Sequence, residues 1–481
     1  MRRIEIFSVG AVIFVISWLL IQDFSQISSE SLGGDATQNV TTGLNIVKHG
    51  IYSRQAIALD VTPGFRREPL PNFLLASYLR IAELISPGLL DQVNQPFSDE
   101  FLVFVKQINL MWAAGLFVAL WLTAILVFSP FLAAQWLALV QIVVVNHFFV
   151  LKAIDDMNTE LIAGMVLVWL GVVLLMASQS RSWRWILVSG VAFGLMALTK
   201  ATGAYVALIL LPLIALVIAG FTQRFWLLFL AISFGFVITV MPWLVRNQIY
   251  FSKPVIAQGG GDVLLIRSVF NEMSWQQFGD SFYAYSPKDL RRDLLGPWMK
   301  LSDDDFSCAG RLSVFSRNLE CDRQALAEKR YSDVQSFYQR GKRAIPRELS
   351  LDLDEKKDLA IEKFRAQPLQ AVITALPMSW RGFWGFRVKA WRHIILNAAA
   401  YFALLLAPFL ALVERRLSWL MVSIVPVSFY LFYSFFSHFL PRYSTPFIPA
   451  SLVCLSMLVV DVCARLAIRI RPTKLPSIRL L

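Results

Sequence analysis

The stretch RFWLLFLAISFGFVITVMPWLVRNQIYFSKPV, residues 224–255, decides the fold. Between Arg224 and Arg246 it runs 21 residues without a charge, enough for an α-helix to cross the ~30 Å hydrocarbon core of a bilayer. Lipid offers no partner to a backbone amide, so such a run must satisfy its own hydrogen bonds as a helix. Beyond it the character changes. Residues 246–391 hold 41 of the chain's 78 charged side chains, which reads as a folded, water-exposed domain inserted between two groups of apolar helices.

Similar runs recur along the chain. We expect ten spans, near 5–22, 102–128, 131–151, 159–178, 183–199, 203–220, 224–245, 393–413, 417–437 and 443–464. With 57% hydrophobic and 16% charged residues in 481, and a mean hydropathy of +0.58, the chain is too apolar for a soluble globular protein. The expected fold class is an all-α polytopic membrane protein. Its parts are an N-terminal transmembrane module (1–245) whose first outward loop is 23–101, a mostly helical extracytoplasmic domain (246–392), C-terminal transmembrane helices (393–464) and a basic cytoplasmic tail (465–481).

The net charge of +12 raises nucleic acid as a partner, but its placement argues otherwise. Arg2 and Arg3, Arg181 and Arg184, Arg224, Arg415 and Arg416, and the tail with Arg465, Arg469, Arg471, Lys474 and Arg479 all fall on one side if the N-terminus is cytoplasmic. This is a topology signal that touches anionic lipid, and no nucleic-acid partner is expected. Both termini are then cytoplasmic, with the first segment retained as an uncleaved helix.

In the outward domain, DLRRDLL, LAEKRYSDVQSFYQRGKR and LDLDEKKDLAIEKFRAQP read as short amphipathic helices broken at Pro287, Pro297, Pro346 and Pro368. The segment QAVITALPMSWRGFWGFRVKAW, rich in Trp and Arg, is expected at the membrane interface. Cys308 and Cys321 face an oxidising compartment and are predicted to form a disulfide, two free thiols being the alternative. Cys454 and Cys463 read as small buried packing residues of the last span.

Acids and bases gather on the outward side. Asp35, in SLGGDATQNV (31–40), has two readings that do not exclude each other: the N-cap of a short interfacial helix ending at Gly50, or a reactive carboxylate. Residues 69–86 read as a further interfacial helix. In LKAIDDMNTELIAG, Asp155, Asp156 and Glu160 lie at one outward turn, either as a solvated cluster paired to Lys152 or as part of a site. Lys200 and Arg442 end and begin spans, as lipid anchors or as ligands for an anion. By topology they join Arg67 and Arg246 on the same face, where acid and base together suit an anionic lipid donor and a hydroxyl acceptor.

The ordered set GGDATQNVTTGLNIVKHGIYS, REPLPNFLLA, IDDMNTE, GLMALTKATG, PWLVRNQIYFSKPV and PRYSTPFIP resembles the bacterial membrane glycosyltransferases of the GT-C superfamily, family 39-like proteins among them. The resemblance covers about residues 5–460, the outward domain matching nothing specific. It implies transfer of a sugar, with inversion, from a polyprenyl-phosphate donor to a hydroxyl of a lipid, glycan or protein acceptor, at a site facing the exterior of the cytoplasmic (inner) membrane. It implies that Asp35 is the catalytic acid of the first loop, acting as general base, and that Lys200 and Arg442 bind the donor phosphate. Asp155 and Asp156 match its second acidic motif, with Glu160, Arg67, Arg246, His438 and Tyr443 as acceptor-binding or site-shaping residues. The chain departs from the family in placing Ala36 and Thr37 after Asp35, where a second acid or an aromatic is common. No His or Cys cluster has zinc spacing, so no cofactor is predicted and transfer is expected to be independent of a divalent metal. Two other readings remain: a transporter or flippase of lipid-linked glycans, which calls for charged or broken helices at the midplane, and a polymerase using diphosphate-linked donors.

Overall fold

The computed structural model describes residues 2–57, 60–91, 93, 95–386 and 390–470. The tail beyond 470 and residues 387–389 of the Trp-rich segment lie outside the described residues, as do the side chains of Arg2, Arg3 and Arg469.

The chain is helical from end to end of what is described. Helices α1 (Arg2–Phe24), α2 (Gly34–His49) and α3 (Pro69–Ile85) are followed by α4 (Asp99–Val127), α5 (Phe131–Ala153), α6 (Glu160–Ser180), α7 (Trp183–Thr199), α8 (Thr202–Ala219) and α9 (Gln223–Phe251). Next come α10 (Gly260–Val269), α11 (Trp275–Ala284), α12 (Leu353–Ala366) and α13 (Pro368–Gly382), then α14 (Trp391–Glu414), α15 (Leu417–Phe436) and α16 (Pro441–Ala467). Among the described residues nine of these are long and apolar enough to cross a membrane: α1, α4, α5, α6, α8, α9, α14, α15 and α16. The chain is a multi-pass membrane protein.

The tenth expected span, 183–199, is the shorter apolar helix α7. It has 17 residues, about 26 Å at 1.5 Å per residue, the lower end of the lengths that cross a hydrocarbon core. It lies along α9 at backbone contact. A Cβ on Gly190 would overlap the Ile232 carbonyl, one on Gly235 the Leu187 carbonyl, and one on Gly194 would stand 2.5 Å from the Thr239 Cβ. Small residues four apart let two helix backbones approach where lipid supplies no hydrophobic drive. α6 is the most enclosed span and packs against both α4 and α7, with Trp169 Nε1 donating to the Gly115 carbonyl at 3.0 Å. α1, by contrast, turns Phe7, Phe14, Trp18 and Ile21 outward.

The chain divides into two compact units. The first comprises Met1–Ala257, Ala400–Val427 and Pro446–Leu481; the second Gln258–Ala399 and Ser428–Thr445. In the first, one end of α14 and α16 is joined by a ring of ion pairs: Arg416 to Asp461 (2.7 Å) and to Glu414 (2.9 Å), and Arg465 to Asp461 (2.8 Å) and to Glu414. Cys454 is buried there, but Cys463 is exposed, so only the former is a packing residue.

The second unit is built around Arg267, which is fully buried and donates to four acceptors: Asn271 Oδ1 at 2.7 Å, the Ala371 carbonyl at 2.9 Å, Thr374 Oγ1 at 3.1 Å and the Ser434 carbonyl at 3.4 Å. Burial pulls its guanidinium down to about 9. Capping boxes start α11 (Ser274 with Gln277) and α12 (Asp352 with Glu355). Cys308 and Cys321 form a disulfide. Pro287 and Pro368 begin helices, but Pro297 and Pro346 break none. Each follows a π-helical turn, Arg291–Leu295 and Arg340–Ala344, whose wider spacing absorbs the missing proline N–H.

Candidate active site

Asp35 owes its place to two glycines. Gly33 is the N-cap of α2, in extended conformation, and Asp35 sits in the first turn, where the helix dipole favours a carboxylate. It is therefore not the N-cap that the sequence suggested. Gly50 closes α2 with φ 67°, a left-handed turn that suits glycine, and its N–H reaches the Asn45 and Ile46 carbonyls. The apolar stripe Ala36, Val40 and Leu44 is fully buried against Leu75, Leu79, Val105, Ile108 and Met157. Asp35, one residue off that stripe, keeps 40% of its side chain exposed.

Its partner is Arg67, whose Nη2 donates to Asp35 Oδ1 and whose Nε donates to Gln38 Oε1 at 3.1 Å. Arg67 is fixed in turn by the loop that carries it. Tyr52 donates to the Arg67 or Glu68 carbonyl (2.9 and 3.1 Å) and accepts from Asn72 Nδ2 at 2.7 Å. Burial pushes the Tyr52 phenol far up, so it stays a donor. Arg246 donates to the Gly64 carbonyl at 2.8 Å and to Asn247 at 2.7 Å, its guanidinium lying over Trp243 at 4.7 Å and Tyr52 at 5.7 Å. Arg246 thus lies within α9, not after it, and anchors residues 52–68.

The turn at 154–160 is a second hub. Asp155 accepts from the Ser28 N–H (2.7 Å), the Ser28 hydroxyl (2.7 Å) and Lys106 Nζ (2.9 Å). Lys106, completely buried, also donates to the Ser28 and Glu30 carbonyls at 2.8 and 3.0 Å. The cation on Asp155 is thus Lys106 and not Lys152, whose Nζ stands 5.8 Å over the Phe148 ring. Asn109 Nδ2 bonds the Ile154 and Asp156 carbonyls, both at 2.9 Å, and Asn39 of α2 bonds the Met157 carbonyl at 2.9 Å. The Asp156 carboxylate takes the Asn158 amide. Lys200 donates to Thr159 at 2.6 Å and stands 3.9 Å from Glu160, whose other carboxylate oxygen is buried without a hydrogen-bond partner among the described residues.

Sequence reasoning missed Lys106 and Ser28. A lysine inside the expected 102–128 span was the available signal, since a buried charge at membrane depth needs a partner. Ser28 carried none.

Arg442, His438 and Tyr443 belong to the second unit. There His438 is buried, with its ring 5.4 Å from Tyr338 and 5.6 Å from Tyr443, and its carbonyl accepts from Arg381 at 3.0 Å. Arg442 lies 5.6 Å from the Tyr443 ring. Burial first, then Arg381, Arg317, Arg442 and Lys342, hold the His438 imidazole well below its ordinary range. No group of three or more His, Cys, Asp or Glu side chains among the described residues is arranged to hold a metal ion.

No protein-family model and no curated protein matches the chain. Solved structures do. The archaeal oligosaccharyltransferase AglB from Archaeoglobus fulgidus, solved with an inhibitory peptide and a dolichol-phosphate, superposes with a TM-score of 0.50 at 13% identity, over 98% of this chain and 53% of its own. The chain shares the fold of that structure. ArnT from Cupriavidus metallidurans bound to undecaprenyl phosphate is also similar, at a TM-score of 0.46 and 12% identity over 98% of this chain and 67% of its own. The chain spans about half the length of AglB. The loop that carries Arg67, α2 and the 154–160 turn form one bonded assembly around Asp35.

Proposed function

We propose that the protein transfers a sugar, with inversion, from a polyprenyl-phosphate donor to an acceptor hydroxyl, on the outer face of the cytoplasmic membrane with both termini inside. The observation that carries this is the state of Asp35. It is partly exposed in the first turn of a helix and paired to Arg67, while Asp155 is occupied by three donors and Glu160 is buried. A general base must meet its substrate, and Asp35 is exposed enough to do so.

In the reaction the acceptor O–H proton passes to the Asp35 carboxylate as the oxygen bonds the anomeric carbon. The bond from that carbon to the phosphate oxygen breaks, and its electron pair leaves on the polyprenyl phosphate. Phosphate leaves without prior protonation, so one carboxylate suffices where glycosidases use two. Lys200 offsets the charge gathering on the departing phosphate. Asp155, through Ser28 and Lys106, holds the segment that enters α2, and Arg246 holds the loop bearing Arg67; both position rather than react. Positioning of this kind accounts for a large share of a transfer barrier. The AglB structure, of the same fold, holds a dolichol-phosphate, which supports a lipid-phosphate donor. No divalent metal is assigned a step.

The test is to supply defined undecaprenyl-phosphate sugars to the purified protein with lipid, glycan and peptide acceptors, and to follow donor and product by mass spectrometry. Consumption of one donor with release of undecaprenyl phosphate, unchanged by a chelator, is expected. A protein that moves lipid-linked sugar across a vesicle without cleaving it is a flippase, and the proposal fails.

A further inference from the structure

The exposed surface of the second unit changes character at one joint. Along α12 the exposed side chains larger than alanine are all charged, from Asp354 to Arg365. Along α13, which follows after Gln367 alone, the exposed side chains are Pro368, Leu369, Val372 and Leu376, the last three 71%, 55% and 60% open. Spacings of three and four put these three on one stripe of the helix. No residue from 366 to 380 is charged. The aromatic and cationic groups that follow do not extend the stripe: Trp380 Nε1 donates inward to the Phe282 carbonyl at 2.9 Å and to Ser286 Oγ at 3.0 Å, and Arg381 and Trp384 are buried. What α13 presents outward is aliphatic.

Hydrogen bonds on the opposite, buried face fix the depth of this helix. Ser379 Oγ donates to Tyr430 Oη at 2.9 Å, and Tyr430 donates to the Ser379 carbonyl at 2.6 Å. Tyr430 lies six residues before the end of α15 at Phe436, about 9 Å along the axis. Nearer the start of α13, Arg267 joins the Ala371 carbonyl to that of Ser434, only two residues before the same end. α15 itself has 20 residues, about 30 Å, which is the thickness of the hydrocarbon core. α13 therefore runs beside the last turns of a helix of hydrocarbon length, its Ser379 end deeper than its Ala371 end. In the same unit Leu431, Phe435 and Phe436 of α15 and Ile395 of α14 are exposed, so the stripe adds to a surface that spanning helices turn to lipid.

We propose that α13 is a membrane-embedded helix that does not span, with Leu369, Val372 and Leu376 inserted among the acyl chains of the leaflet at this end of α15 and the joint at Gln367 marking the water line. With 15 residues, about 23 Å, it is too short to cross the core. An uncharged aliphatic face of this size is what acyl chains accept, whereas a polar or charged partner calls for groups that the stripe lacks. The charges of α12, one turn of chain away, stay in water. The charge-rich unit is thus held to the bilayer through α13 as well as through its two spanning helices.

The experiment places nitroxide labels on the full chain in nanodiscs of phosphatidylethanolamine and phosphatidylglycerol. A Cys463→Ser background leaves only the disulfide and the buried Cys454. Val372→Cys and Leu376→Cys probe the stripe, Lys357→Cys the exposed face of α12, and Phe14→Cys an exposed position of the spanning helix α1. All four positions are exposed, so none of the labels disturbs a packed core. Power saturation then reads collisions with oxygen, which concentrates in lipid, and with a nickel chelate, which stays in water. The oxygen-to-nickel ratio at 372 and 376 is expected to match that at 14 and to exceed that at 357 severalfold. A ratio at either stripe position as low as at 357 shows water over the stripe and overturns the proposal. Few collisions with both reagents show that protein covers it, a second copy or another partner, and overturn the proposal as well.

Discussion

Lys106 Nζ lies 2.9 Å from Asp155 Oδ1, completely buried, and spends its remaining donors on the Ser28 and Glu30 carbonyls. One ion pair thus ties the top of α4 to the turn before α6 and to the strand of chain entering α2. Asp155→Asn leaves a buried ammonium without a counter-charge and is expected to cost about 2 kcal/mol. Lys106→Met costs less, since Ser28 still serves Asp155. The double variant should be more stable than the sum of the singles, with a coupling of about 1 kcal/mol. Thermal unfolding in detergent measures all four proteins; strict additivity would show that the pair does not act as a unit.

The α7–α9 contact makes a sharper expectation. Gly190→Val forces a branched side chain into the Ile232 carbonyl, whereas Gly10→Val in α1 meets nothing within 4 Å. The first should lower the yield of folded protein at least severalfold and the second should not, as judged by fluorescence-detected gel filtration. Equal yields would mean that the two helices do not pack backbone to backbone.

Reducing the Cys308–Cys321 bridge, 13 residues apart in sequence, frees a short loop. The chain-entropy account gives about 3 kcal/mol for a closure of this size. Cys308→Ser is therefore expected to lower the melting temperature, and a reducing agent to do the same to wild type but nothing further to the variant. An additional loss in the variant would place the redox-sensitive group elsewhere.

His438 gives the chain a pH dependence with a definite sign. Its folded-state pKa is held down by burial and by Arg381, Arg317, Arg442 and Lys342, with Tyr338 and Tyr443 the other titratable neighbours. The unfolded chain binds a proton near pH 6.5 where the folded one does not. Stability from this group is present above about pH 6.5 and is lost as pH falls below it. Melting temperatures between pH 7.5 and 5 should fall more steeply for wild type than for His438→Gln.

Much of this architecture was legible in the sequence because its signals are local. Uncharged runs gave the spans, and Gly50 gave the end of α2. The misreadings have separate causes. The partner of Asp155 lies 49 residues upstream, and Pro297 and Pro346 are each accommodated by the π-helical turn just before them. Asp35 was visible as a lone acid, but its orientation by Arg67, 32 residues on, was not, because no periodicity links a helix start to a loop.

The role of Asp35 stands most directly on one rate. Sugar transfer from the preferred undecaprenyl-phosphate donor should fall about 10²–10⁴-fold in Asp35→Asn, the range a positioned general base supplies, with melting temperature and donor binding near those of wild type. Transfer by that variant within a few-fold of wild type would contradict the account, because the carboxylate would then not take the acceptor's proton.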